Sequence, residues 1–188
     1  MQFIVARYNE NVEWTKQFKN VIIYNKGQKL SDDYNQVFLN NVGREGHTYY
    51  QFIYDNYDNL DNLDDYLVFL QGYPFDHSPN LINNLNNFIN SEKNLDFKFL
   101  SEWIIGCNLN YCDFHPGLPI KSVYKQLFNN NIENMNFVFG AGAQFIVAKK
   151  KILEKPKDFY LKIIKMLEYD NCPIEGYVIE RLHQVIFS

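Results

Sequence analysis

Residues Tyr66 to His77 read YLVFLQGYPFDH, and the fold turns on them. The stretch opens as a continuous apolar run, Tyr66-Leu67-Val68-Phe69-Leu70. A run that short, rich in β-branched and aromatic side chains, predicts a strand buried on both faces. It then breaks into Gln71-Gly72-Tyr73-Pro74-Phe75-Asp76-His77, where Gly72 and Pro74 end the strand and a titratable Asp-His pair follows. Polar groups just past the carboxyl end of a buried strand stand where open α/β sheets bind ligands. A plain strand-to-helix turn, with Asp76 and His77 only capping the next helix, fits the same residues, so the rest of the chain has to decide.

Upstream, Phe3-Ile4-Val5-Ala6 predicts another buried strand, stopping at Arg7-Tyr8-Asn9-Glu10. Asn11 is placed to cap a short helix carrying Val12, Trp14 and Phe18, and Val21-Ile22-Ile23-Tyr24 is a strand ended by the turn Asn25-Lys26-Gly27. Val37-Phe38-Leu39 reads as a third short strand. Gly43-Arg44-Glu45 then opens a helix whose Tyr49, Phe52, Ile53 and Tyr57 recur at helical spacing. Downstream, Ser78-Pro79 is a helix-start signal, followed by the stripe Leu81, Ile82, Leu85, Phe88, Ile89. Phe97 to Leu100 and Trp103 to Ile105 are short strands or one bent segment. An irregular loop with Asp113 and His115 and a helix over Pro119 to Phe128 follow. Phe137-Val138-Phe139 leads through Gly140-Ala141-Gly142-Ala143-Gln144 into the buried strand Phe145-Ile146-Val147. Two helices close the chain, one over Pro156 to Leu167 and one after Pro173. This alternation predicts a single α/β domain over residues 1–188, with a mixed, mainly parallel sheet flanked by helices on both faces. The ends of the first and central strands, Arg7–Glu10 and Gln71–His77, are expected side by side at the switch point.

Composition narrows the classes. The 188 residues carry a formal charge of −4 with a pI of about 5.5, which argues against nucleic acid as a partner. No apolar run approaches the about 18 residues of a membrane span, and the entry into a strand at Gln2-Phe3 is read as the absence of a signal peptide. Three cysteines, an odd number, suggest a reducing compartment and a cytoplasmic location; Cys107 and Cys112 could pair or bind metal, but no second Cys pair completes a zinc set and they are read as ordinary thiols. The acidic residues between Asp55 and Asp65 have no Ca²⁺-loop spacing and read as a solvated turn.

Five motifs in order, ARYNE (Ala6–Glu10), NVGREGHTY (Asn41–Tyr49), FLQGYPFDH (Phe69–His77), GAGAQFIV (Gly140–Val147) and GYVIERLHQVIF (Gly176–Phe187), resemble an uncharacterised family known only as a domain of unknown function. More distantly the layout is similar to nucleotide-sugar glycosyltransferases of the GT-A fold. The resemblance implies transfer of a sugar from a nucleotide-sugar donor to a glycan or other hydroxyl acceptor. It departs from that pattern where an Asp-x-Asp metal motif is expected, because Gln71-Gly72-Tyr73 stands there instead.

Chemically, such a transfer must neutralise a leaving diphosphate and deprotonate a hydroxyl. Arg7, Tyr8, Asn9, Lys26, Arg44, Asp76, His77 and His183 are the candidates for binding nucleotide and diphosphate, and Glu180 and Asp113 for the base. The cofactor reading is Mn²⁺ or Mg²⁺ held by Asp76 and His77, or, as favoured, metal-independent binding by the fixed cations. Two other readings share these residues: a non-catalytic nucleotide- or glycan-binding module, and a glycoside or sugar-phosphate hydrolase using Asp113 and Glu180 as a carboxylate pair.

Overall fold

The computed structural model describes residues 1–91 and 94–188. Among the described residues eight strands form: β1 (Gln2–Arg7), β2 (Val21–Asn25), β3 (Gln36–Phe38), β4 (Tyr66–Gln71), β5 (Phe97–Phe99), β6 (Ile104–Asn108), β7 (Asn136–Gly140) and β8 (Phe145–Ala148). The helices are α1 (Arg44–Asn56), α2 (Leu81–Ile89), α3 (Ile120–Phe128), α4 (Lys149–Leu153), α5 (Lys157–Leu167) and α6 (Ile174–Ile186). Six strands make one sheet in the order β3-β2-β1-β4-β8-β5, with β1 to β4 mutually parallel and β8 antiparallel to both β4 and β5.

The apolar runs of β1 and β4 are buried on both sides because alternate residues enter different cores. Ile4, Leu67 and Phe69 join Phe145, Val147 and the inner faces of α1, α3, α5 and α6. Phe3, Val5, Val68 and Leu70 join Leu81, Leu85 and Phe88 of α2 on the other face. Helices therefore cover both faces, as the pattern predicts. Each fully buried Phe or Leu contributes roughly 1.5–3 kcal/mol, so these strands fix the fold.

After β3 the chain crosses back through α1 to add β4 on the far side of β1. The switch point lies between β1 and β4, where Ala6 pairs with Gln71. The carboxyl ends of β1, β2 and β4 share one edge, and the 140–144 turn that enters β8 comes to the same edge.

Three local expectations need correction. Residues 13–17 form only a 3-10 turn, although the Asn11 Oδ1 does accept the Glu13 N–H at 2.9 Å. Ser78 does not cap α2: its hydroxyl donates to the Leu100 carbonyl and the helix begins three residues later, at Leu81. The segment read as Trp103 to Ile105 contributes Ile104 and Ile105 to β6, which pairs with β7 in a separate two-stranded sheet. Cys107 and Cys112 are not ordinary thiols but a disulfide, which removes the basis for reading a reducing compartment from the cysteine count. Among the described residues, no helix is long and apolar enough to cross a membrane.

Candidate active site

A cleft of about 230 Å³ opens at the carboxyl ends of β1 and β2, lined by Arg7, Tyr8, Glu10, Lys26, Arg44 and Glu45 and closed on one side by Asn171 and Cys172. Two of its cations also have structural roles. Arg7, buried, donates from Nε to the Glu10 carbonyl (2.9 Å) and from Nη1 to Asn25 Oδ1 and the Gln28 carbonyl (both 2.8 Å), which ties β1 to β2 and leaves Nη2 over. Lys26 places Nζ 2.5 Å from the carbonyls of both Val42 and Arg44, clamping the entry to α1. Burial pushes this ammonium down to about 8. Gly27 is required here because a Cβ would stand 1.6 Å from the Tyr8 carbonyl oxygen.

Arg44 is the freer cation. Its guanidinium stacks 4.5 Å from the Tyr177 ring centre and sits 3.5 Å from Glu45 Oε2. The other oxygen of Glu45 accepts from Gln71 Nε2 at 2.7 Å, so the end of the central strand and the start of α1 are joined side chain to side chain. The N–H groups of Gly43 and Arg44 donate to the carbonyls of Asp170 and Asn171, so the first donors of α1 are already partly used.

Glu180 projects from α6 toward the same edge. Its Oε1 accepts the Gly142 N–H at 2.8 Å and its Oε2 lies 3.4 Å from Arg181 Nη1. Burial raises its proton affinity above the ordinary carboxylate range, Glu45 adds to that, and Arg181 and Arg44 partly offset it. The Tyr49 hydroxyl, fully buried and with no hydrogen-bond partner among the described residues, lies in the field of both Glu45 and Glu180. Arg181, 1% exposed, holds the surroundings together: it donates to the carbonyls of Tyr177 (2.6 Å) and Phe114 (3.1 Å), meets His115 Nδ1 at 3.1 Å, and stacks on Phe139.

Backbone strain gathers at this place. Among the described residues five non-glycine residues have positive φ, and two of them are asparagines, which tolerate it. The other three are Arg44 (50°), His115 (64°) and Ala143 (54°). Arg44 and His115 both pack on Tyr177, and Ala143 follows the glycine bound by Glu180. Such strain, at about 1–3 kcal/mol each, concentrates at functional sites.

The predicted residues divide. Arg7, Tyr8, Lys26 and Arg44 line the cleft, and Glu180 carries a charge-charge interaction with Arg44. Asn9 turns away, its Oδ1 accepting the Gln28 N–H. Asp76 is exposed and His77 packs against Trp103, its ring centre 5.4 Å away; neither lines the cleft. His183 is a core residue, 1% exposed, bonded through Nδ1 to the Tyr50 hydroxyl at 2.8 Å and packed on Phe145, so it cannot reach a ligand. Asp113 is exposed and accepts from the Tyr111 hydroxyl rather than facing Glu180. Glu45, Gln71, Tyr177 and Arg181 were not among the candidates, although all four stand inside quoted motifs. Their partners are remote in sequence, so position in a motif was the one available signal. Among the described residues no group of three or more His, Cys, Asp or Glu side chains is placed to hold a metal ion.

The chain belongs to the family described as "Protein of unknown function (DUF3431)", which matches residues 3–188. No curated protein matches it, and no solved structure matches it.

Proposed function

We propose that the protein is a glycosyltransferase moving a sugar from a nucleotide-sugar donor to a hydroxyl acceptor, with a GT-A-like arrangement of its sheet. The observation that carries this reading is Glu180: a carboxylate with raised proton affinity, fixed by the Gly142 N–H, within charge-charge reach of Arg44 in the charged cleft at the strand ends. A carboxylate of raised pKa is a stronger base, suited to taking the proton of an attacking hydroxyl. In an inverting transfer the acceptor oxygen bonds to the anomeric carbon as the bond to the diphosphate oxygen breaks. Its proton passes to Glu180 and the diphosphate leaves with the bonding pair. Arg44, and the spare Nη2 of Arg7, are the groups that meet that charge. Tyr8, 51% exposed at the mouth of the cleft, offers a ring face to a base.

A second reading, a non-catalytic nucleotide-binding module of the same fold, is favoured by one observation. Lys26 and most of Arg7 are tied to backbone carbonyls, leaving Arg44 as the chief free cation. One assay separates the two. The protein is incubated with a panel of nucleotide sugars and hydroxyl acceptors, and released nucleoside diphosphate is measured for wild type and Glu180→Gln. Turnover in wild type that is lost in the variant supports transfer. Nucleotide binding without turnover supports the module, and neither binding nor turnover removes both.

A further inference from the structure

The two-stranded sheet carries a second cleft, of about 590 Å³, whose chemistry is opposite to that of the first. It is lined by Gly106, Asn108, Tyr111, Asn136, Val138 and Gln184, together with Cys107 and Phe137. No ionisable side chain lines it apart from the phenol of Tyr111, whereas five charged residues line the strand-end cleft. A ligand selected here is therefore neutral.

Its polar groups are amides, which both donate and accept. Asn108 and Asn136 face each other across the β6–β7 ladder. The Asn108 Oδ1 accepts the N–H groups of Asn110 (2.8 Å) and Tyr111 (2.9 Å), which leaves its amide donors free. The side chains of Asn136 and Gln184 have no hydrogen-bond partner among the described residues. Between the amides the floor is flat and apolar: Val138 lies opposite Gly106, where a Cβ would meet nothing within 4 Å. Tyr111, 55% exposed, adds an aromatic face. It is already held in place by its N–H bond to Asn108, by its hydroxyl on Asp113 and by the disulfide at the neighbouring Cys112, so little ordering remains for a ligand to impose. Planar amides around a flat apolar floor, with an aromatic ring at the rim and no charge, match one ligand class. That class is the polyhydroxylated ring with polar edges and apolar faces.

We propose that this cleft binds a neutral saccharide, and that it is the acceptor subsite of the transfer. Gln184 links it to the base: it stands four residues beyond Glu180, on the same face of α6 and about 6 Å along the helix axis. The acceptor role rests on the reading of Glu180 and the strand-end cleft given above. Binding of a neutral saccharide does not.

The test is amide NMR of the full chain, titrated separately with maltose, cellobiose, lactose and N,N′-diacetylchitobiose, and then with uridine and guanosine diphosphates. At least one disaccharide is expected to shift the Gly106 amide and the side-chain NH₂ signals of Asn136 and Gln184. Gly106→Tyr, which fills open space, is expected to weaken that binding by about tenfold or more. Nucleotide shifts are expected instead around Tyr8 and Arg44, and to be the same in Gly106→Tyr. If no disaccharide shifts the cleft signals, or if Gly106→Tyr binds as well as wild type, the inference is overturned. If a disaccharide binds there while no nucleotide binds anywhere, the saccharide site stands and its role as acceptor subsite falls.

Discussion

Glu180 is held between opposing effects. Burial and Glu45 favour its protonated form, while Arg181, Arg44 and the Gly142 N–H favour the anion. Replacing it by Gln keeps the size and an acceptor for Gly142 but removes the base. Glu180→Gln is therefore expected to abolish turnover, at least 100-fold in kcat by the usual scale of base catalysis (about 10²–10⁴), while calorimetry finds nucleotide affinity nearly unchanged. Equal kcat in both proteins would take Glu180 out of the mechanism. His183, one turn further along α6, does something different. Its burial against Tyr50 and Phe145 lowers its pKa to about 3, well below the about 6.5 of an ordinary imidazole. The folded state therefore binds fewer protons than the unfolded chain between those values. Stability from His183 is complete above about pH 6.5 and is lost as pH falls toward 3, at up to about 1.4 kcal/mol per pH unit. In denaturant titrations, His183→Gln is expected to be less stable at pH 7 and to show a shallower loss of stability between pH 6 and 4. An unchanged slope would contradict the burial of a neutral imidazole.

The 140–144 turn is the element on which the site depends. Gly142 has φ of +86°, and a Cβ there would press to 3.0 Å from His77 Cγ and 3.1 Å from Gln144 Nε2. Gly142→Ala is expected to cost about 1–3 kcal/mol in chemical denaturation and to weaken the hold on Glu180, whereas Gly106→Ala, facing open space, stays within about 1 kcal/mol of wild type. Equal effects at the two glycines would contradict the placement of this turn. What was legible in the sequence follows the same physics. The runs of β1 and β4, and the stripes of α1, α2, α5 and α6, were readable because burial imposes a period on apolar residues. The pairing of β6 with β7 away from the main sheet was not, since short half-exposed segments such as Ile104–Asn108 carry no signal for their partner. Nor could the duties of Arg7 and Lys26 be read. Much of what they hold is main-chain carbonyls up to 21 residues away, and a carbonyl leaves no mark in the sequence. The left-handed residues Arg44, His115 and Ala143 were equally invisible, because none is the Gly or Asn that such a backbone usually announces.

At the scale of the molecule, the crossover from β3 through α1 to β4 brings Arg44 to Arg7, 37 positions away along the chain, and Glu180 of α6, 136 positions beyond Arg44, comes within charge-charge reach of it. Arg44, whose guanidinium meets Tyr177, Glu45 and Cys172 but no backbone carbonyl, is the cation of the resulting cleft least tied to the main chain, and Asp76 with His77 lies outside the cleft. That division is the central claim, and calorimetric titration of nucleoside diphosphates tests it most directly. Uridine, guanosine, adenosine and cytidine diphosphates are titrated in excess EDTA and then with Mn²⁺, into wild type, Arg44→Gln and Asp76→Ala. At least one is predicted to bind in EDTA, to gain little from Mn²⁺, to lose about tenfold or more in affinity in Arg44→Gln, and to be indifferent to Asp76→Ala. Binding that requires Mn²⁺, disappears in Asp76→Ala and is untouched in Arg44→Gln would contradict the account, as would no binding at all.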